Sequence, residues 1–133
     1  MLIREHLAQA ASFEASAAKL DAIEDTELYV IFLMRAGTAR INAALHALGV
    51  TAPVAAGMRI GDLNHSYKPH LEGDLPAEVP PMFAALKYIE DLRPEYVRGP
   101  LLLNPELVAA CRRAHEEVVV RTNTVMEHAK EVA

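Results

Sequence analysis

The sequence has no tryptophan and one cysteine, Cys111, and aromatic residues make up only 5% of its 133 residues. A single cysteine excludes an intramolecular disulfide and is typical of a reducing compartment, so we predict a cytoplasmic location. With so few aromatics, the core must consist mainly of aliphatic side chains and alanine, which favours closely packed helices. Hydrophobic residues still reach 52%, enough for one domain that spans residues 1–133.

Basic residues are also in deficit, because 13 lysines and arginines stand against 18 acidic residues, for a net charge of −5. Nucleic-acid backbones attract basic surfaces, so this balance argues against nucleic acid as a partner. No signal peptide is expected, since Arg4, Glu5 and His6 interrupt the first ten residues. The apolar run 28–34 is shorter than the roughly 20 residues that cross a bilayer, so no membrane partner is expected either.

Helical periodicity predicts an all-α fold, a four-helix bundle with a long ordered crossover between the second and third helices. The predicted helices cover residues 2–20, 26–48, 82–92 and 105–132. Asn104 followed by Pro105 indicates the start of the last helix, because asparagine caps helix N-termini and proline fits the first helical position. Gly49 suits the left-handed position that ends the second helix. Cys111 lies on the apolar stripe of the last helix, which favours a small core residue over a nucleophile.

The second predicted helix, Thr26–Leu48, is apolar on nearly every face, which indicates a helix surrounded by other helices. Small residues such as Gly37 and Ala44 would allow close contact with a neighbouring helix or with the same helix of a second subunit. One narrow polar stripe interrupts this helix. At about 100° per residue, the members of the stripe fall within roughly 80° of one another; they are Arg35, Thr38, Asn42 and His46.

The crossover, residues 50–81, contains three glycines and five prolines, which break regular helix. Connections this long in a compact domain are usually functional or disordered. We predict that residues 61–74 are ordered and cover the polar stripe as a lid. This lid would add four polar side chains, namely His65, Tyr67, Lys68 and His70. With Arg35, Asn42 and His46, they would form a site for a small polar or anionic ligand. In the alternative interpretation the stripe only docks the segment, and Arg35 pairs with Glu72 or Asp74.

The same segment is rich in side chains of metal-ligand type, namely Asp62, His65, His70, Glu72 and Asp74. His46 or His115 would be able to join them from the bundle. Their spacing matches no established metal signature, so no metal ligand and no cofactor is assigned. The cluster is interpreted instead as hydrogen bonds that order the segment. His6 is interpreted as a flanking residue near the end of the first helix, and His115 with Glu116 as a solvated pair.

The segment Arg40–His46, with the sequence R-I-N-A-A-L-H, resembles the R-x(4–6)-H element of the HEPN ribonucleases, which are also small dimeric helical bundles. The resemblance implies that Arg40 and His46 converge across a dimer cleft to cleave RNA. On an ideal helix the two positions are about 120° apart.

Three functions therefore stay open. The first is an interaction module that acts as a homodimer or through a partner protein, because self-association would cover surplus apolar surface. The second is a site between the central helix and residues 61–74 that binds a small polar or anionic ligand, with or without a metal ion. The third is the HEPN-like nuclease. Whether the protein is an enzyme is not decided by the sequence.

Overall fold

The computed structural model describes residues 1–53, 60–64 and 75–132. Within these ranges the regular structure is entirely helical. The α-helices are Ile3–Ala18 (α1), Thr26–Ala47 (α2), Val79–Glu90 (α3) and Pro105–Val132 (α4). One π-helical turn, Arg93–Val97, follows α3 at the point where Pro94 interrupts the helical pattern. The predicted all-α, four-helix architecture is confirmed.

Helix α2 is the centre of the bundle, because it packs against α1, α3, α4 and the π-helical turn. Of the described helices it alone is long and apolar enough to cross a membrane, but 72% of its most apolar stretch is buried inside the bundle. That burial is the behaviour of a core helix. The prediction of a central helix enclosed by its neighbours is therefore confirmed.

The small residues of α2 serve contacts within the chain. A Cβ atom added to Gly37 would lie 2.9 Å from Cδ1 of Leu86, so the glycine lets α3 approach α2 closely. Ala44 is completely buried. Of the two alternatives for this face, the neighbouring helix of the same chain accounts for the contact at Gly37.

The predicted start of α4 and the predicted left-handed residue after α2 are confirmed, whereas α3 begins three residues earlier and ends two residues earlier than the predicted range 82–92. The backbone N–H of Leu107 donates to Oδ1 of Asn104 (2.8 Å), which caps α4. Gly49 has φ +74°, the left-handed conformation that closes α2. Cys111 is completely buried, and burial raises the pKa of its thiol to about 11, so it is the small core residue that the pattern predicts.

The crossover between α2 and α3 covers residues 48–78, as long as predicted. Its first part turns back over the end of α2, where the backbone N–H groups of Val50 and Thr51 both donate to the carbonyl of Leu45. The N–H of Ala52 then donates to the carbonyl of Ile60 (2.9 Å). These bonds return residues 60–64 to the side of α2, where the polar stripe lies.

Candidate metal site

The polar stripe of α2 holds the crossover through Asn42. The side-chain amide of Asn42 donates to the carbonyl of Leu63 (2.8 Å), and the N–H of Leu63 donates back to Oδ1 of Asn42 (2.8 Å). Both residues are buried. The paired bonds fix the backbone beside Asp62, and so they hold its carboxylate against the stripe. The prediction that this segment covers the stripe is confirmed for the described residues 62 and 63.

Two histidines from different helices converge on Asp62. Nε2 of His46, on α2, donates to Oδ1 of Asp62 (2.7 Å), and Nε2 of His6, on α1, donates to the same oxygen (2.8 Å). Both histidines are buried, His6 with only 2% of its surface exposed. The three groups can place one donor atom each within 4.8 Å of one another.

A second contact orients the ring of His46. Its Nδ1 lies 2.6 Å from the hydroxyl of Thr51, which is itself buried. A hydroxyl group both donates and accepts, so Thr51 can hold the ring whether the proton is on Nδ1 or on Nε2. Nδ1 of His6, in contrast, is buried and has no hydrogen-bond partner in the part of the chain that the structure describes. Its contact with Asp62 is therefore the one described hydrogen bond that orients His6.

Asp62 is ionised well below neutral pH. Burial alone would raise the pKa of its carboxyl group, but hydrogen bonds from the amino group of Met1, from His6 and from His46 outweigh burial and bring the pKa to about 2. The amino group of Met1 binds Oδ2 (2.7 Å), whereas the histidines share Oδ1. Each carboxylate oxygen thus has its own set of partners.

Two imidazoles and one carboxylate are a donor set that Zn²⁺ and Fe²⁺ bind in proteins, with coordination positions left open for other ligands. Zinc bonds of 2.0–2.2 Å in tetrahedral geometry separate neighbouring donor atoms by roughly 3.3 Å. The distances from Oδ1 of Asp62 to the two Nε2 atoms are 2.7 Å and 2.8 Å, and each would have to lengthen by only about half an ångström to reach that value. The arrangement is therefore close to a three-ligand metal site.

The structure brings some of the residues of the sequence-predicted ligand site to the same side of α2. Asn42 and His46 face the crossover as expected, and Arg35 is exposed and lines the same small pocket as His6, Asn42 and Asp62. The other candidates lie outside the described residues, namely His65, Tyr67, Lys68 and His70, as do Glu72 and Asp74. A ligand site that includes these residues stays a prediction.

Two interpretations of histidines are wrong. His6 is a buried partner of Asp62 and not a flanking residue. His115 is 9% exposed, and its Nε2 lies 2.5 Å from Oε2 of Glu14, so it does not form a solvated pair with Glu116. The sequence does carry a signal for His6, because its spacing from Ala10 and Ala17 is typical of a packed helix face, where a buried imidazole needs a polar partner.

Glu14 is the centre of a second polar cluster, separate from Asp62. Nε and Nη2 of Arg40 donate to its two carboxylate oxygens (2.8 Å and 2.6 Å), and His115 reaches it from α4. Burial would raise the pKa of Glu14, but the bonds from Arg40 and His115 lower it overall. Arg40 and His46 therefore bind different carboxylates within one chain, and their convergence across a dimer stays a prediction.

No protein-family model matches the chain, and no curated protein or solved structure is significantly similar to it.

Proposed function

We propose that the protein binds one divalent transition-metal ion through His6, His46 and Asp62, and that the ion acts on a small molecule in the adjoining pocket. The observation that carries this proposal is the convergence of two buried imidazole nitrogens on one carboxylate oxygen. This proposal extends the second function left open by the sequence, a ligand site with or without a metal ion, and adds His6, which the sequence analysis did not place in that site.

Three features of the geometry support a metal ion. His6 and His46 come from different helices and present the same atom, Nε2, to one point. Thr51 holds the far side of the His46 ring, as the outer partner of a metal-bound histidine does. Asp62 is ionised and aligned without further movement of the backbone, because the bonds to Asn42 fix its neighbour Leu63.

The donor set also limits the identity of the ion. Imidazole and carboxylate together suit Zn²⁺, Fe²⁺ and related first-row ions, whereas Ca²⁺ and Mg²⁺ prefer oxygen ligands. Three protein ligands are typical of catalytic sites, which keep at least one position for water or substrate. When bound, such an ion would supply a Lewis acid that polarises an oxygen atom or activates water.

The test is a zinc titration of chelator-treated protein by calorimetry, with metal content measured by mass spectrometry. We expect one Zn²⁺ per chain. His6→Gln and His46→Gln should each weaken binding at least about 100-fold, since each removes a direct ligand. Glutamine can still donate to Asp62, so circular dichroism should show an intact helical fold.

A matched control is His128→Gln, which removes an exposed histidine of α4 and should leave zinc binding unchanged. Binding that survives both His6→Gln and His46→Gln would contradict the proposal. So would the absence of binding when Zn²⁺, Fe²⁺ and Mn²⁺ are each tested in turn.

A second candidate function, self-association, is favoured by an exposed apolar patch. Leu28, Leu101 and Leu102 are 48%, 50% and 58% exposed and line one groove of about 310 Å³ between the start of α2 and the segment before α4. Exposed leucines in one place are typical of an interaction surface. We propose that two copies of the chain associate through this patch as a homodimer.

The charges beside the patch predict how such a dimer responds to salt. Glu24, Asp25 and Glu27 line the same groove, so a two-fold contact would bring carboxylates of both copies together. Salt screens this repulsion. Light scattering should therefore show stronger association at about 0.5 M salt than at about 0.05 M salt, because charge screening increases strongly between these two concentrations. The double substitution Leu101→Ser, Leu102→Ser should give a monomer, whereas Val120→Ser, at an exposed position of α4, should not. A wild-type monomer at all concentrations would contradict this candidate.

A further inference from the structure

A small pocket extends from the candidate metal site along the groove between α1 and α2. It has a volume of about 160 Å³, and its lining includes His6 and Asp62 beside Asn42, with Arg35 two helical turns earlier on α2. On α2 its lining residues run from Arg35 to Asn42, two helical turns or about 10 Å. The volume equals that of about five water molecules, so a pocket of this length is a narrow slot.

The charge of the slot favours an anion. Asp62 is the one carboxylate among its described lining residues, and it already binds two histidines and the amino group of Met1. Arg35 is exposed at the slot, and none of the described carboxylates forms an ion pair with it. A bound divalent ion would make the slot strongly positive, in a chain whose net charge is −5.

The walls between the two ends are partly apolar. Phe13 from α1 and Ala39 from α2 are among the lining residues of the slot, together with the polar Gln9 and Thr38. An aliphatic chain therefore fits the middle of the slot, whereas charged groups fit its two ends. A guanidinium group binds a carboxylate through two parallel hydrogen bonds, which makes Arg35 suited to a carboxylate at its end.

We propose that the slot binds a short aliphatic dicarboxylate, with one carboxylate on the metal ion and the other on Arg35. This inference rests on the proposed metal site and names the ligand class of that site. A four-carbon dicarboxylate such as succinate, with one metal–oxygen bond and one hydrogen bond added, spans about 10 Å, which matches the rise of α2 from Arg35 to Asn42.

The experiment is a calorimetric titration of the zinc-loaded protein with succinate and with butyrate, which has the same chain length and only one carboxylate. We expect succinate to bind at least about 10-fold more tightly than butyrate, because only succinate can engage the metal ion and Arg35 at the same time. Arg35→Gln should remove this preference and leave zinc affinity unchanged. Arg113→Gln, at an exposed position of α4, should keep the preference.

The possible failures are distinguishable. If zinc binds but succinate has no advantage over butyrate, or if Arg35→Gln keeps that advantage, the dicarboxylate inference is wrong and the metal site stands. If zinc itself does not bind, the proposed function fails, and this inference fails with it.

Discussion

The substitution Asn42→Ala removes the two hydrogen bonds that fix the crossover on α2. The bonds join the side chain of Asn42 to both backbone groups of Leu63, each at 2.8 Å. Leu63 is 5% exposed, so after the substitution its N–H and C=O groups would have little access to water. The crossover would then lose the contact that aligns Asp62 with the histidines.

The expected loss of stability follows from these contacts. Each bond contributes about 1 kcal/mol net, and a buried backbone group left without a partner costs about 1–3 kcal/mol. Alanine has a higher helix propensity than asparagine, which offsets about 0.5 kcal/mol of this lost stability. We therefore expect a net destabilisation of about 2–4 kcal/mol. For 133 residues, 1 kcal/mol corresponds to about 3.5 °C, which gives a decrease in Tm of about 7–14 °C.

The assay is thermal and urea unfolding followed by circular dichroism, with zinc titration of the folded variant. Zinc affinity should fall about 10- to 100-fold, the usual effect of losing a residue that supports a metal ligand. Asn123→Ala is the matched control, since Asn123 is exposed on α4 and gains the same helix propensity. The measurement limit is roughly 0.5 kcal/mol. If the free energy of unfolding falls by less than this relative to the control, Asn42 is not the residue that holds the crossover.

Three further predictions concern the core, the second cluster and acid. Ala44→Asp puts a carboxylate in a fully buried position and should destabilise the bundle by more than about 4 kcal/mol. Circular dichroism should show this as a loss of helical signal. A variant that melts at the wild-type temperature would contradict the packing of α2. Glu14→Ala leaves Arg40 and His115 without their carboxylate and should cost about 2–3 kcal/mol in urea unfolding, less than for a fully buried pair because the cluster is partly exposed. The folded-state pKa of Asp62 is depressed, so its stabilisation is present above its ordinary pKa of 3.8 and is lost as the pH falls to about 2. The stability difference between metal-free wild type and Asp62→Asn should therefore shrink below about pH 4, and a difference that did not change with pH would contradict the ion-pair geometry.

Local patterns in the sequence are sufficient for the architecture. The all-round apolar character of α2 predicts its central position, and Asn104 and Gly49 mark helix ends through short-range backbone chemistry. The polar stripe also predicts the docking of the crossover, because Asn42 and His46 share one face and a buried face of that kind needs polar partners. These properties depend on residues close together in the chain.

The partners of the histidines depend instead on the register of α1 against α2. A tight turn between Ala18 and Thr26 would bring His6 beside Thr38. In the structure the ring of His6 lies beside that of His46, two helical turns further along α2, with ring centroids 5.3 Å apart. The length that residues 19–25 extend beyond the end of α1 sets this register. Helical periodicity does not encode that length. The position of Asp62 likewise depends on a backbone bond between Ala52 and Ile60, which no side-chain pattern records.

The most direct test of the metal site is anomalous diffraction from a crystal of the protein grown with Zn²⁺, measured on both sides of the zinc absorption edge. We expect one strong anomalous peak per chain, about 2.0–2.2 Å from Nε2 of His6, Nε2 of His46 and a carboxylate oxygen of Asp62. A crystal with no peak among these three side chains, while zinc is present at other positions or in solution, would contradict it.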